Sequence, residues 1–517
     1  MKNPFIALIL VISSFFTAKA QPFIVPDSIV SNVHFLGKQN LSAKDYLISL
    51  FDQYDIVIFC ERTHDELTQY ELLTDLFSDS RFYNQVGDIF MELGVSNYDD
   101  EINNYLLSEN LSQEQSNKKA LGIQRNASWY PLWSRYNQHF LLTSLYQINK
   151  KLPIQLKIKL HPSDISIDWN EIKTVQDVIS KIANQSVQVG RDSVIGNNIV
   201  SYITRINASP AKRRKYFVIL NSAHATRGIW TLGDISAKSA ASYIFEKFGD
   251  RVANVLVNFE SLINMTSTTL GLPETLPILN GKLDAAFELL GMDDKGFDIK
   301  GSPLENERFE NAPMQDSTLT NEKVFTGFVF YKSYPGQSEV NGVPGLVDEN
   351  FKPELVRRYK LWQQMTNSFP SDGEFEDFNR IIKKSPDGLV TYWQKVMYWI
   401  GGGKGIFTFY KSGQPINETV SFIKQERMKG SNSVYNVSEF GINTFGYGLL
   451  LQGHNEEAAT ILLLNTQFFP NSWNTYDSYG DALLKLDRKE EAIKAYKKSL
   501  ELNPGNEKAR MILEKLE

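Results

Sequence analysis

The 517 residues carry a formal charge of −6, with 54 Lys and Arg against 60 Asp and Glu. That balance favours solubility and lacks the basic footprint a nucleic-acid partner requires. A single cysteine, Cys60, excludes an internal disulfide, so stability has to come from buried core, and the length suits two or three domains.

Lys2, the apolar stretch 5–16 and Ala18-Lys19-Ala20 before Gln21 have the form of a secretory signal peptide with an A-x-A cleavage site. The stretch is shorter than the ~20 residues of a spanning helix, and no cysteine follows the site to make a lipoprotein. The expectation is a 1–20 signal peptide and a mature chain that is periplasmic or secreted, with no integral membrane segment.

From 21 to 347 the pattern alternates strand and helix, which predicts an α/β fold with a mostly parallel sheet flanked by helices. Ile56-Val-Ile-Phe-Cys60 is apolar enough to be buried on both faces, and it runs into Glu61 and His64. A helix is predicted over 66–78, with Leu67, Tyr70, Leu73 and Phe77 on one face. Residues 89–91 end on Glu92, with Leu93-Gly94 predicting a sharp turn. A long amphipathic helix is predicted over 129–149, and a strand over 155–160 leading to His161 and Asp164. Two helices are expected within 174–206. The basic run Lys212-Arg-Arg-Lys215 reads as a solvated loop before a strand, 216–221, that leads to His224. Another buried strand is expected over 252–259. Residues 291–314, rich in Gly, Pro, Asp and Glu, read as a long surface loop, followed by a strand over 325–331.

Helices predicted over 354–368, 374–384 and 389–400 make 348–438 a helical connector. Beyond it, aligning 473–504 on 439–470 gives a repeat of 34 residues, matching Phe445-Gly446 with Tyr479-Gly480, Glu457-Ala458 with Glu491-Ala492, and Pro470 with Pro504. This resembles tetratricopeptide repeats, in which small residues let paired helices cross closely. Residues 508–516 read as a capping helix, so 439–517 is expected to be an all-α repeat region. Its surface is either a groove for a protein or peptide partner or a structural brace.

In open α/β sheets, ligands bind outside the carboxyl ends of the parallel strands. Glu61, His64, Glu92 and His224 therefore converge on one cleft, with His161 and Asp164 beside them. Carboxylates near an imidazole orient the ring and stabilise its protonated form, as a general base taking a proton from water requires. The same residues could instead bind haem or another small-molecule ligand without catalysis, or hold a divalent metal, although no tight metal-binding spacing is present. Cys60 at the end of an apolar strand reads as a small buried hydrophobe. His139 reads as a packed helix residue and His454 as structural.

Cys60-Glu-Arg-Thr-His-Asp65 resembles the G-E-x-x-H-G motif of the erythromycin esterase-like superfamily, which is related to ChaN-like haem-binding proteins. In the same order, residues 90–92 resemble that family's second strand, 159–164 its strand ending in an aspartate region, 191–198 its R-[DE]-x-x-M-A-x-N helix, and 221–224 its H-N-x-H motif. The resemblance implies an α/β sandwich that hydrolyses an ester. It puts His64 as general base, Glu61 and Glu92 as the acidic residues around it and His224 as the second histidine. Arg191, Asp164, Asn198, Asn221 and His161 fall in substrate-binding positions, and Arg191 could instead hold a carboxylate. The sequence departs from the pattern at Cys60, Asp65, Leu67 and Asn221, so macrolide esterase activity does not follow from it.

Overall fold

Six consecutive residues with fully buried side chains, Ile56–Glu61, form strand β1 at the centre of the sheet. A strand apolar on both faces has to be covered on both sides, and this one is flanked by β4 (Lys215–Asn221) and β5 (Val252–Val257), both parallel to it. In the computed structural model the described residues are 27–516, apart from 184–189, 211, 233–234, 259, 265–273, 309–318, 367–368, 431–432, 434, 452 and most of 387–413. With β2 (Val86–Val95), β3 (Lys159–Asp164), β6 (Asp294–Asp298) and β7 (Gly327–Tyr331), the sheet has seven strands in the order β6-β7-β5-β1-β4-β2-β3. Only the β6–β7 pair is antiparallel, so the expected α/β architecture is present.

The chain divides into two compact units. One, comprising 37–263 and 292–387, contains the whole sheet. Its main core packs Phe59, Phe77, Phe82 and Phe217 against helices α1 (Thr68–Ser78), α2 (Asp99–Leu106), α3 (Gln113–Asn126) and α4 (Tyr136–Lys151). Helix α5 (Arg191–Asn207) packs along β3, with buried Ile195, Ile199 and Ile203 at helical spacing. Helix α6 (Lys352–Thr366) adds Leu355 and Tyr359 to a second cluster with Leu121, Leu132 and Leu346.

The other unit contains the repeats: α7 (Glu439–Leu451), α8 (Asn455–Phe468), α9 (Trp473–Lys485), α10 (Lys489–Leu502) and the cap α11 (Glu507–Leu516). Its small residues sit at the helix crossings. A methyl group on Gly446 would come within 2.6 Å of Leu462, and one on Gly480 within 2.8 Å of Tyr496.

Several elements differ from the sequence expectation. The helix expected from 129 starts at Tyr136: Pro131 disfavours helical backbone at Tyr130, and Arg135 is extended and bridges Asn341. The β3 strand starts at Lys159, after a short 3-10 turn at Ile154–Leu156. β2 does not end at Glu92; it continues to Val95 across an irregularity in its pairing with β3. Gly94 there has φ +105°, and a Cβ would sit 2.8 Å from Pro162. Residues 294–298, expected in a loop, pair as the edge strand β6. The helix expected over 374–384 is one short helix, Asp372–Asp377, followed by a strand, Ile382–Lys384. Of the basic run, Lys212 and Arg214 are exposed as expected, whereas Arg213 is half-buried and donates to the carbonyls of Tyr83, Val86, Leu156 and Lys157. The signal-like residues 1–20 and most of the helix expected over 389–400 lie outside the described residues.

Candidate active site

Glu61 ends β1 with its side chain almost fully buried, and the Tyr70 hydroxyl, from the inward face of α1, donates to Glu61 Oε1. The other carboxylate oxygen, Oε2, lies 3.1 Å from His64 Nδ1. The imidazole therefore has one nitrogen fixed and the other, Nε2, 3.8 Å from Glu92 Oε1. Trp133 packs edge-on against the ring, with centroids 5.3 Å apart.

Glu92 is the hub. Its Oε1 lies 2.9 Å from Arg191 Nη2 and 3.4 Å from His224 Nε2, and its Oε2 accepts the Asn221 backbone N–H at 2.9 Å. Arg191, at the first turn of α5, also grips Asp164 with Nε at 3.0 Å and Nη2 at 2.8 Å. His224 follows β4, and its Nδ1 pairs with Asp192, the neighbour of Arg191 on the helix. Each imidazole thus has its Nδ1 on one carboxylate and turns its Nε2 toward Glu92.

The charges are interdependent. Burial opposes a charge on His64, but Glu61, through its charge and hydrogen bond, and then Glu92 outweigh that and hold the imidazole up at about 9. Burial pushes Glu92 up as well, yet His224, Arg191 and His64 hold its carboxyl well below the usual range. His224 is raised: burial acts against it, and Glu92 and Asp192 prevail. Asp164 is raised because burial exceeds the effect of Arg191.

These groups border a cavity of about 160 Å³. His64, Glu92, Asp164 and Arg191 form its polar side, and Leu93, Ala127, Trp129 and Trp133 its apolar side. Of the residues the sequence singled out, those four reach the cavity. Glu61 and His224 stand behind it, acting on His64 and Glu92. Asn221 holds Glu92 and donates to the Arg62 carbonyl, and Asn198 donates to the Ser163 carbonyl at 3.0 Å; both are supports for the backbone around the site. His161 is not a cleft residue. It is 1% exposed, sits on Phe90 and Tyr202, and is held between Asp88 at 3.0 Å and Asp99 at 2.6 Å. Two residues lie between it and Asp164 along β3, so in a pleated strand the two point to opposite faces. Cys60 is buried, and burial pushes its thiol up, away from the reactive thiolate.

Sequence reasoning missed Tyr70, Asp192, Trp129 and Trp133 as parts of the site. Tyr70 lies on the predicted inward face of its helix, and Asp192 lies inside the motif that supplied Arg191. The tryptophans were hidden by the expected helix over 129–149; with 129–135 a loop instead, both reach the cavity.

A divalent metal at this donor set would have to displace a cation that is already there. The Arg191 guanidinium already supplies the cation between Glu92 and Asp164. Among the described residues, no group of three or more His, Cys, Asp or Glu is placed to hold a metal ion.

The sequence model of the family described as "Tetratricopeptide repeat" matches residues 473–506, the second of the two repeats. No curated protein matches the chain. Among solved structures, it is similar to a Bacillus cereus protein at 11% identity, covering 58% of this chain and 96% of that one with a TM-score of 0.35. A succinoglycan biosynthesis protein is 9% identical, with 60% and 98% covered and a TM-score of 0.37. A mutant erythromycin esterase in its open conformation is 11% identical, with 55% and 91% covered and a TM-score of 0.34.

Proposed function

We propose that the sheet-containing unit hydrolyses an ester, with His64 Nε2 taking the proton from an attacking water. The observation that carries this reading is the Glu61–His64 pair: a buried carboxylate, anchored by Tyr70, fixes Nδ1 and leaves Nε2 facing Glu92, with His64 and Glu92 both lining the cavity. A carboxylate behind an imidazole holds the ring's orientation and stabilises the imidazolium that forms when water gives up its proton. Glu92 supplies a second negative charge on the cavity side of the ring. Arg191 offers positive charge to the oxygen of the tetrahedral intermediate. His224 and Asp192 keep Glu92 in place from behind.

The base form of His64 is the neutral imidazole. With its pKa near 9, only about 1% of the molecules carry that form at pH 7. The reading therefore implies a slow enzyme at neutral pH that gains rate in alkali. A panel of simple acetyl esters assayed for acid release tests it: turnover that follows the purified protein supports the assignment, and none across pH 6–10 removes it.

The signal-like amino terminus supports a periplasmic or secreted location. The repeats suggest a protein partner, and the acidic charge balance supports a small-molecule substrate over nucleic acid. Among the described residues, no helix is long and apolar enough to cross a membrane.

A further inference from the structure

The loop that carries the two tryptophans of the cavity is pinned along its length. The buried Gln124 amide, on α3, donates to the carbonyls of Trp133 and Arg135 at 3.0 Å each. Trp169 Nε1 donates to the Ser128 carbonyl at 2.8 Å, and the Ala127 carbonyl accepts the Val95 N–H at 3.2 Å. The indoles are engaged as well. Trp129 packs on Trp362 with centroids 5.9 Å apart and lies 5.8 Å from the Arg191 guanidinium. Trp133 lies 5.8 Å from the Arg135 guanidinium and edge-on to His64. Neither ring is free to swing aside, so the cavity has walls of fixed position.

The chemistry of hydrolysis decides which part of an ester meets those walls. A tetrahedral intermediate bears three oxygens and one carbon chain. The incoming water oxygen gives its proton to His64 Nε2 as it bonds to carbon. The leaving alkoxy oxygen takes that proton as its own bond to carbon breaks, so both oxygens lie at the imidazole. The third oxygen lies at Arg191. Only the acyl chain has no polar partner, and it is left to face Leu93 and the indoles. The His64 side chain is 23% exposed, so an alcohol bound there extends past it into solvent.

Fixed walls make volume a filter. The cavity of about 160 Å³ is close to the ~150 Å³ that holds the six carbons of benzene. The attacking water takes ~30 Å³ of it, and the carbonyl oxygen also needs room. About four carbons remain for the acyl group, the carbonyl carbon included.

We propose that this cavity is an acyl pocket for short chains, acetyl to butyryl, and that Trp129 is the wall that sets the limit. The inference rests on the hydrolase reading and names its substrate class: esters of short acids, with the alcohol largely unselected. Trp133 supports His64 directly, so Trp129 is the indole whose removal widens the pocket without touching the base.

The test is kcat/KM of the full chain on the p-nitrophenyl esters of acetate, butyrate, hexanoate and octanoate, which share one leaving group. Rates should hold from acetate to butyrate and fall at least tenfold at hexanoate, since a pocket discriminates by about tenfold or more per misfitted methylene. In Trp129→Leu the ratio of hexanoate to acetate should rise at least tenfold, with circular dichroism unchanged; the ratio cancels any general loss of rate. A second measurement needs no turnover. The Trp129 indole N–H resonance should shift saturably with 2-butanone, a neutral four-carbon carbonyl compound, and not with 2-octanone. The proposal is overturned if rates stay level or rise to octanoate, if Trp129→Leu leaves the ratio where it was, or if both ketones or neither shift the indole. An enzyme that cleaves every chain length alike would lose only this inference. A protein that admits butanone, excludes octanone and cleaves no ester would lose the hydrolase reading and keep the size-limited pocket.

Discussion

His64 Nε2 stands 3.8 Å from Glu92 Oε1, although the strands that lead to the two residues, β1 and β2, are separated in the sheet by β4. Two features close that gap. His64 lies three residues beyond the end of β1, in the loop before α1, so it is not confined to its own strand. Glu92 sits where β2 departs from regular pairing, two residues before Gly94, whose positive φ lets the backbone pass close against Pro162. The distance is beyond a direct hydrogen bond, so Nε2 is held near a negative charge without being tied to it.

The first prediction concerns pH. Glu61 and Glu92 stabilise the imidazolium, so kcat/KM for an acetyl ester should rise with pH, reach half its plateau near 9 and level off above that. The groups facing His64 are Glu61, Glu92 and Arg191. Glu61→Gln removes the larger of the two favourable charges. Its rising limb should move to lower pH by more than one unit, with a lower plateau, and a pH–rate series on both proteins reads this directly. Stability follows the same sign. The folded pKa of His64 lies above its ordinary 6.5, so the stability this group contributes is present below 6.5 and is lost as pH rises through about 9.

Arg191 is the second test. It is the guanidinium between two buried carboxylates, Glu92 and Asp164. Arg191→Ala leaves both without that partner, which should cost ~3–5 kcal/mol and show as a lower thermal midpoint for the sheet-containing unit. Arg191→Lys should restore only part of the loss, because Nε and Nη2 grip Asp164 together and an ammonium cannot reproduce that fork. Equal midpoints for wild type and Arg191→Ala would remove the hub from the account.

The repeats yield a third prediction. Gly480 faces the Tyr496 ring across the α9–α10 crossing, and any Cβ there would press on it at 2.8 Å. Gly480→Val should force the helices apart, costing ~1–3 kcal/mol by overpacking. Proteolysis should then cut within 473–502 before it reaches the sheet. An unchanged cleavage pattern would mean the crossing tolerates a side chain.

Much of this was legible because the strand exits carry their own signature. β1 is apolar at every position until Glu61, and the charge that follows has nowhere to go but the end of the sheet. The repeat spacing placed Gly446 and Gly480 at helix crossings for a similar reason: identical residues a fixed period apart do the same job. His161 misled because it precedes Pro162 and looks like a strand-end residue, whereas the strand runs on to Asp164 and its pleat turns His161 to the other face, toward Asp88, Asp99 and Tyr202. Position along a strand can be read from hydrophobic runs, but the face depends on register, and an all-buried strand gives no alternation to reveal it. Trp129 and Trp133 were missed because their segment has helical periodicity, which Pro131 interrupts. Asp192 needed the fold itself: only the meeting of α5 with the end of β4 puts it against His224.

The most direct measurement of the central claim is the hydrolysis of a small acetyl ester at pH 9 by wild type and by His64→Gln, with circular dichroism on both. The account predicts at least a thousandfold lower kcat/KM in a protein that is still folded, since the group that takes the proton is gone and Glu61 and Glu92 cannot replace it from where they stand. Equal rates in the two folded proteins would contradict it, and the pairing of His64 with Glu61 would then be a structural contact beside a cavity that does other work.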